Sequence, residues 1–364
     1  MISISIITSR NLHQNTVGFL YPLIKWKNKI QSDKIKFNIS YILKNISTSD
    51  IIILDSKYHR NDWLNNEDKI YSDLSFLRNK CSKLIYCDTG DSSGWIQSKV
   101  IKYIDKYWKL QILKNKILYL EKFYDGRIYT DYYYKLLNKH SNLKVIKEAE
   151  DWSNPISEKD LNKIEAFWNT SLADYSLTSY SVGLLFKRYL GKIYIKKSSP
   201  KIITRKKLKK NNIMFNFNIH YSRFYIAYQR KELNKLFDLE KNDRLTKYGY
   251  YKKLSNSKMC ISPFGWGEIA YRDYEAFINQ SILLKPNMDH IETWPELYIK
   301  DKTYLDFDWS LENVKSISEK VIDNYEKYID IAFTGQSNYL SYLHGDEAEN
   351  KFILRLKKLL KNLQ

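Results

Sequence analysis

The stretch from Ser257 to Leu284, SKMCISPFGWGEIAYRDYEAFINQSILL, carries the most decisive pattern in this chain. Met259-Cys260-Ile261 is a short apolar run that fits a buried strand. Pro263, Gly265 and Gly267 then break the chain into a tight turn, because glycine accepts backbone angles closed to other residues. Glu268 to Asn279 has helical spacing, and Ser281 to Leu284 reads as a second buried strand. Strand, glycine turn, helix and strand make one βαβ unit, and its turn falls where open α/β sheets bind ligands.

At 100° per residue, a helix beginning at Glu268 would bring Glu268, Arg272 and Glu275 onto one side. Ile269, Ala270, Ala276 and Phe277 would lie opposite, against a sheet. Such a Glu–Arg–Glu row fits a solvated face. It fits equally a ligand face beside a turn whose free N–H groups hold an anion.

The segments SPFGWGEIAYRDYEAF and LLKPNMDHIETWP, which span Ser262 to Pro295, resemble the donor-binding region of GT-B glycosyltransferases of the bacterial surface-polysaccharide type. The resemblance is dense from Ser257 to Trp294 and weaker at Ile85–Gly94 and Lys122–Tyr133. It implies two Rossmann-like α/β domains facing a cleft. In retaining, group-1-like members a glycine turn meets the diphosphate of a nucleotide sugar. By that likeness Gly265, Trp266 and Gly267 lie at the diphosphate, Glu268 is a catalytic residue near the sugar, and Glu275 lies on the ribose hydroxyls. Six residues separate the two glutamates here, one fewer than in the family pattern. Arg272, three residues before Glu275, is similar to the Arg of the exostosin-like Arg-x-x-Glu. The likeness also implies phosphate contacts from Arg223 and Arg230, which follow the first strand of the second domain. His290 and Glu292 fall in the resembling loop, where a place near the donor and a packing role are both open.

The chain has 364 residues, enough for two domains with separate cores. With 43% hydrophobic and 15% aromatic residues, the chain is not of the disordered class. A net charge of +19 favours an anionic partner, although abundant Lys, Ile and Asn also fit an AT-rich genome. Cys81, Cys87 and Cys260 form no paired framework, which suits a reducing cytoplasm. Met1 to Arg10 lacks the pattern of a secretory leader, and no run reaches the length of a membrane span.

Strands are expected at Ile2–Thr8, Lys36–Ile42, Ile51–Leu54 and Lys83–Cys87, with a helix from about Val17 to Ile30. Alternating strands and helices imply a parallel sheet, with the exit loops at His13 and at Asp88–Gly94 sharing one edge. Ser157 to Asn169 is expected as a helix capped at Ser157, and 171–199 as the interdomain region. The basic cluster Arg205–Lys210 is a solvated turn or a membrane or nucleic-acid patch. Ile213 to Ile219 opens the second domain, and helices at about Leu311–Tyr328 and Ala348–Asn362 close the chain. The expected division is 1–200, 201–345 and a terminal helix at 346–364 that crosses back to the first domain.

Asp88 and Asp91 follow a strand of the first domain, where a carboxylate can deprotonate an acceptor hydroxyl; both are also ordinary turn residues. His13 is a second acceptor-side candidate. Asp273 falls on the sheet-packing side, and a buried carboxylate there needs a partner. Asp306-Phe-Asp308 has the form of a metal-binding Asp-x-Asp but also stands before a helix, where Asp caps. No metal and no cofactor are expected. Neither a P-loop nor a Gly-x-Ser-x-Gly elbow is present.

The expectation is therefore a cytoplasmic transferase moving a sugar from a nucleotide donor to a glycan or lipid-linked acceptor, with domain closure excluding water. Peripheral contact with an anionic membrane follows from charge alone. The rival reading is a non-catalytic, basic nucleic-acid-binding protein.

Overall fold

The computed structural model describes residues 1–10, 13–139, 153–173, 175, 209–238 and 245–363. The first half supplies β1 (Ile2–Ile7), β2 (Ile35–Ser40), β3 (Ser49–Asp55), β4 (Cys81–Asp88), β5 (Lys106–Lys109), β6 (Gln111–Leu113) and β7 (Ile164–Ala166). Six of these form an all-parallel sheet in the order β2-β1-β3-β4-β5-β7. Ile51 to Asp55 are buried without alternation, as required of a strand covered on both faces. The strand order reverses between β1 and β3, so their exit loops flank the crevice where such sheets take ligands.

The second half supplies β8 (Asn211–Met214), β9 (Ser257–Ile261), β10 (Ile282–Pro286), β11 (Ile291–Thr293) and β12 (Leu305–Phe307). A parallel sheet in the order β12-β10-β9-β8 forms the second domain. The remaining two strands join the domains. β6 leaves the first sheet and pairs antiparallel with β11, matching Leu113 to Ile291, Ile112 to Glu292 and Gln111 to Thr293. Lys114 N–H adds a bond to the His290 carbonyl at 2.8 Å.

The last helix, Gly345–Lys361, returns to the first domain as expected. Its Phe352, Ile353, Leu356, Leu359 and Leu360 share one core with Trp26, Ile30, Ile35 and Trp168. The Arg355 guanidinium fastens the crossing by donating to the carbonyls of Ala166 and Phe167.

Four expectations are corrected. Ser157 makes no side-chain cap; Glu158–Lys163 is a short 3-10 turn, and Ile164 and Ala166 then extend to pair with β5. The edge of the parallel sheet satisfies their backbone better than an isolated helical turn. The helix expected from Glu268 begins at Tyr271, because Ala270 is extended and its N–H bonds the Asp273 carboxylate at 3.0 Å. The strand expected over Ile213–Ile219 is confined to Asn211–Met214. The expected Leu311–Tyr328 helix is two, Val314–Asp323 and Tyr325–Leu340, broken at Asn324. Most of the expected interdomain region and of the basic cluster Arg205–Lys210 lies outside the described residues, as does the expected boundary near residue 200. Among the described residues all three cysteines are free, and no helix is long and apolar enough to cross a membrane.

If the terminal helix is a structural strap, Leu359→Ala should cost about 2–5 kcal/mol, because it opens a cavity in the first core. Leu354→Ala, on the solvent side of the same helix, should stay within about 0.5 kcal/mol. Denaturant midpoints of the two variants against wild type check this.

Candidate functional site

The carboxyl ends of both sheets face one cleft with two connected cavities. The smaller, of about 290 Å³, is lined from the first domain by His13, Asn15, Asp91 and Gln111, and from the second by Gly265, Trp266, Gly267 and Tyr271. The larger, of about 650 Å³, lies within the second domain among Asn216, Asn218, Lys247, Tyr250, Arg272 and Glu275. Tyr221, Arg230, Ala270 and Tyr271 line both and form the waist between them.

Arg230 sits on the helix Phe224–Leu236 and is 5% exposed. Its Nε donates to the Phe264 carbonyl at 2.5 Å, and its terminal nitrogens donate to Asn218 and Pro263 carbonyls at 2.9 and 3.3 Å. Tyr221 stacks on the guanidinium, 4.9 Å from ring centre to charge. No carboxylate among the described residues forms an ion pair with it. Burial pushes its pKa down to about 10, so it remains a cation at neutral pH. A methyl group on Gly265 would come within 3.0 Å of this guanidinium and 3.1 Å of the Tyr221 hydroxyl. The bare turn is what lets both groups reach the waist. Within the turn, Gly265 N–H is already spent on the Gly267 carbonyl at 3.0 Å, so it is not the free donor expected from sequence.

Arg272 and Glu275 remain together on the helix Tyr271–Ile278 and line the larger cavity. Tyr250 and Tyr251 hydroxyls hold the Glu275 carboxylate at 2.8 and 3.2 Å. Burial raises its pKa, with these hydroxyls and Arg272 pulling the other way. Arg272 donates to the Asn216 carbonyl at 2.5 Å, and its Nε has no hydrogen-bond partner among the described residues. Under this helix lies the fully buried pair Asp273–Lys285 at 3.1 Å, joined by the hydroxyls of Ser262 and Tyr298. The carboxylate that the sequence left in need of a partner thus has four, including the Ala270 amide.

On the first-domain side, His13 caps the helix Gln14–Lys25 by accepting from Asn15 N–H at 3.3 Å through Nδ1. Burial and then Lys57 push its pKa down, against the pull of Asp91. Asp91 also faces the cavity, one oxygen held by the Asn15 amide at 2.7 Å. Asn15 in turn accepts from Tyr271 of the second domain at 2.6 Å. Asp88 lies beneath, paired with Lys109 at 2.6 Å and bonded by Tyr107 and Gly90 N–H at 2.7 Å each. Burial, the largest single influence, raises its pKa, but the Lys109 charge and hydrogen bond, the Tyr107 hydroxyl and Lys57 together lower it overall. It shapes the Gly90–Asp91 loop and does not line the cavity.

Two expected donor residues, Arg223 and His290, and the expected catalytic Glu268 are elsewhere. Arg223 reaches across to Asp125 of the first domain at 2.6 Å and lines neither cavity. His290 lies beside Glu268 at 3.6 Å, with Trp309 against its ring. Glu268, freed from the helix, points away from both cavities into the domain interface and is wholly buried. Asp306 is tied to Lys300 and Asn287, and among the described residues no group of His, Cys, Asp or Glu is arranged to hold a metal ion. Asn15, Gln111, Tyr221 and Tyr250 were not legible as site residues, because none belongs to a spaced motif and each arrives from a different element.

No protein-family model and no curated protein matches the chain. Among solved structures it is similar to Anabaena HepE in complex with UDP-glucose, at 8% identity over 98% of this chain and 100% of that one, with a TM-score of 0.45. A glycosyltransferase from Rickettsia africae overlaps at 10% identity over 100% and 98%, with a TM-score of 0.44. A Listeria monocytogenes protein assigned as a UDP-N-acetylglucosamine 2-epimerase overlaps at 10% identity over 100% and 97%, with a TM-score of 0.39.

Glu268 supplies a test of the interface by pH. Burial would raise its pKa, but His290 and the two Ser93 donors outweigh burial and bring it down to about 2, from an ordinary 4.5. A carboxylate depressed by folding adds stability above its unfolded pKa and loses it as pH falls through the folded one. The stability difference between wild type and Glu268→Gln should therefore shrink as pH falls from about 4.5 toward 2. Denaturant unfolding at a series of pH values reads it.

Proposed function

We propose that this chain is a glycosyltransferase that moves a sugar from a nucleotide-sugar donor to a hydroxyl of a surface-glycan acceptor. The observation that carries this is the buried Arg230 cation at the waist of the cleft, which has no counter-ion among the described residues. An unpaired buried charge is costly, and an anionic ligand at the waist removes that cost. A diphosphate there lies between Arg230, the Tyr221 hydroxyl and the Trp266 and Gly267 amides, which make no hydrogen bond within the described residues. The nucleoside then occupies the larger cavity, with Glu275 on the ribose hydroxyls and Arg272 adding positive charge. The sugar enters the smaller cavity toward Gln111 and Asp91.

In the transfer, the bond from the anomeric carbon to the phosphate oxygen breaks and its electron pair leaves with the diphosphate. Arg230 stabilises that charge with dipoles and a cation already in place. The acceptor oxygen bonds the anomeric carbon, and its proton goes to Asp91, whose position is fixed by Asn15. His13 accepts the Asn15 amide on Nδ1, so in its neutral form Nε2 carries the proton and serves to orient the acceptor rather than to deprotonate it. Asp88 and Glu268 support loops and take no proton. We place the reaction in the cytoplasm, with the basic surface holding the enzyme to an anionic membrane face.

Thermal unfolding against a panel of nucleoside diphosphates tests the donor site. One base should raise the wild-type midpoint, with about 2.7 kcal/mol gained at about 100 times its dissociation constant. Glu275→Ala and Arg230→Met, if folded, should lose that shift. No shift with any nucleotide, together with salt-sensitive polynucleotide binding, would instead favour the nucleic-acid reading. Equal sedimentation with neutral and anionic vesicles would remove the membrane contact.

A further inference from the structure

The glycine turn is built as part of the second domain, but each of its residues is held by the first. Tyr129 hydroxyl donates to the Gly265 carbonyl at 2.6 Å, and Arg127 Nε to the Trp266 carbonyl at 2.8 Å. Gly267 lies against the Asp91 carbonyl so closely that an added Cβ would sit 2.0 Å from that oxygen. Glu268 then inserts its carboxylate into the first domain. One oxygen accepts from Ser93 Oγ at 2.5 Å, and the other accepts from Ser93 N–H at 3.0 Å and Gln111 Nε2 at 3.3 Å. Gln111 also donates to the Asp91 carbonyl, so one amide ties Glu268 to the loop that carries Asp91.

The contacts continue on both sides of the turn. The β6–β11 ladder runs beside it. Asn169 of the first domain donates to Thr293 Oγ1 at 2.9 Å and to the Pro295 carbonyl at 3.1 Å. Tyr133 hydroxyl donates to the Trp309 carbonyl and accepts from Gln229, both at 2.7 Å. A hinge opening between the sheets would strip a buried carboxylate and several buried backbone groups of these partners.

We propose that Glu268 is a positioning residue that clasps the donor turn onto the first domain, so that the cleft keeps one width whether or not nucleotide is bound. The clasp itself rests on contacts between the domains; its catalytic consequence rests on the transferase reading above. Because Gly267 touches the Asp91 backbone, the clasp sets the distance between the turn and the group that receives the acceptor proton. Water is then excluded by a preformed cleft, and the domain closure expected from the sequence is replaced by a fixed joint.

Hydrogen exchange in the nucleotide-free full chain tests the clasp without assuming any activity. Glu268→Ala should speed exchange by about tenfold or more in 91–95, 111–113, 265–268 and 291–293, leaving β1–β3 unchanged. Exchange equal to wild type in those segments, or a uniform rise across the chain, would overturn the clasp. Small-angle scattering with and without UDP then reads cleft width. An unchanged radius of gyration is expected, and contraction on UDP would overturn the fixed joint. Glu268→Gln should keep UDP affinity within about twofold while lowering kcat by about tenfold or more, a split that simple loss of folding would not produce. Weakened UDP affinity with kcat intact would overturn the positioning role. If wild type binds no nucleotide, the transferase reading falls, and the exchange comparison still decides the clasp.

Discussion

The contact between Gly267 and the Asp91 carbonyl is the constraint on which the cleft depends. Two separately built sheets meet there backbone to backbone, with no side chain between them. The approach is possible only because position 267 carries a hydrogen where every other residue carries a carbon. Around that point the interface is polar: Glu268, Ser93 and Gln111 on one side, Asn15, Asp91 and Tyr271 on the other. Buried polar groups of this kind specify one arrangement, since a small displacement leaves each of them unsatisfied.

Charge divides the buried groups by role. Asp88 with Lys109 and Asp273 with Lys285 are closed pairs, each further saturated by hydroxyls and amides, and each lies under a loop that borders the cleft. Their work is to hold the Gly90–Asp91 loop and the start of the helix Tyr271–Ile278. Arg230 differs, because carbonyl dipoles hold it in place but no carboxylate among the described residues pairs with it. It stands at the waist, lining both cavities.

The strand pattern was legible because it is local. Ile-rich runs bounded by polar turns need no knowledge of the partner strand, and β1, β3, β4, β9 and β10 fall where those runs stand. The helix from Glu268 failed at its start for an equally local reason: the Asp273 carboxylate captures the Ala270 amide, and the chain before it extends. With that shift the apparent Glu268–Arg272–Glu275 face dissolved into two functions, one glutamate at the interface and one in the larger cavity.

Sequence alone determined the class of fold, the glycine turn and the place of Arg272 and Glu275 on one helix, because periodicity and glycine chemistry act over a few residues. Only the tertiary structure decided which carboxylates face the cleft and which are consumed in packing. Asp88 and Asp91 are three residues apart with the same side chain; Lys109, twenty-one residues beyond Asp88, buries the first. Arg223 and Arg230 are seven residues apart, yet of the two it is Arg223 that pairs with Asp125 from the other domain. Ion pairs between distant segments are set by three-dimensional distance, which no spacing along the chain encodes.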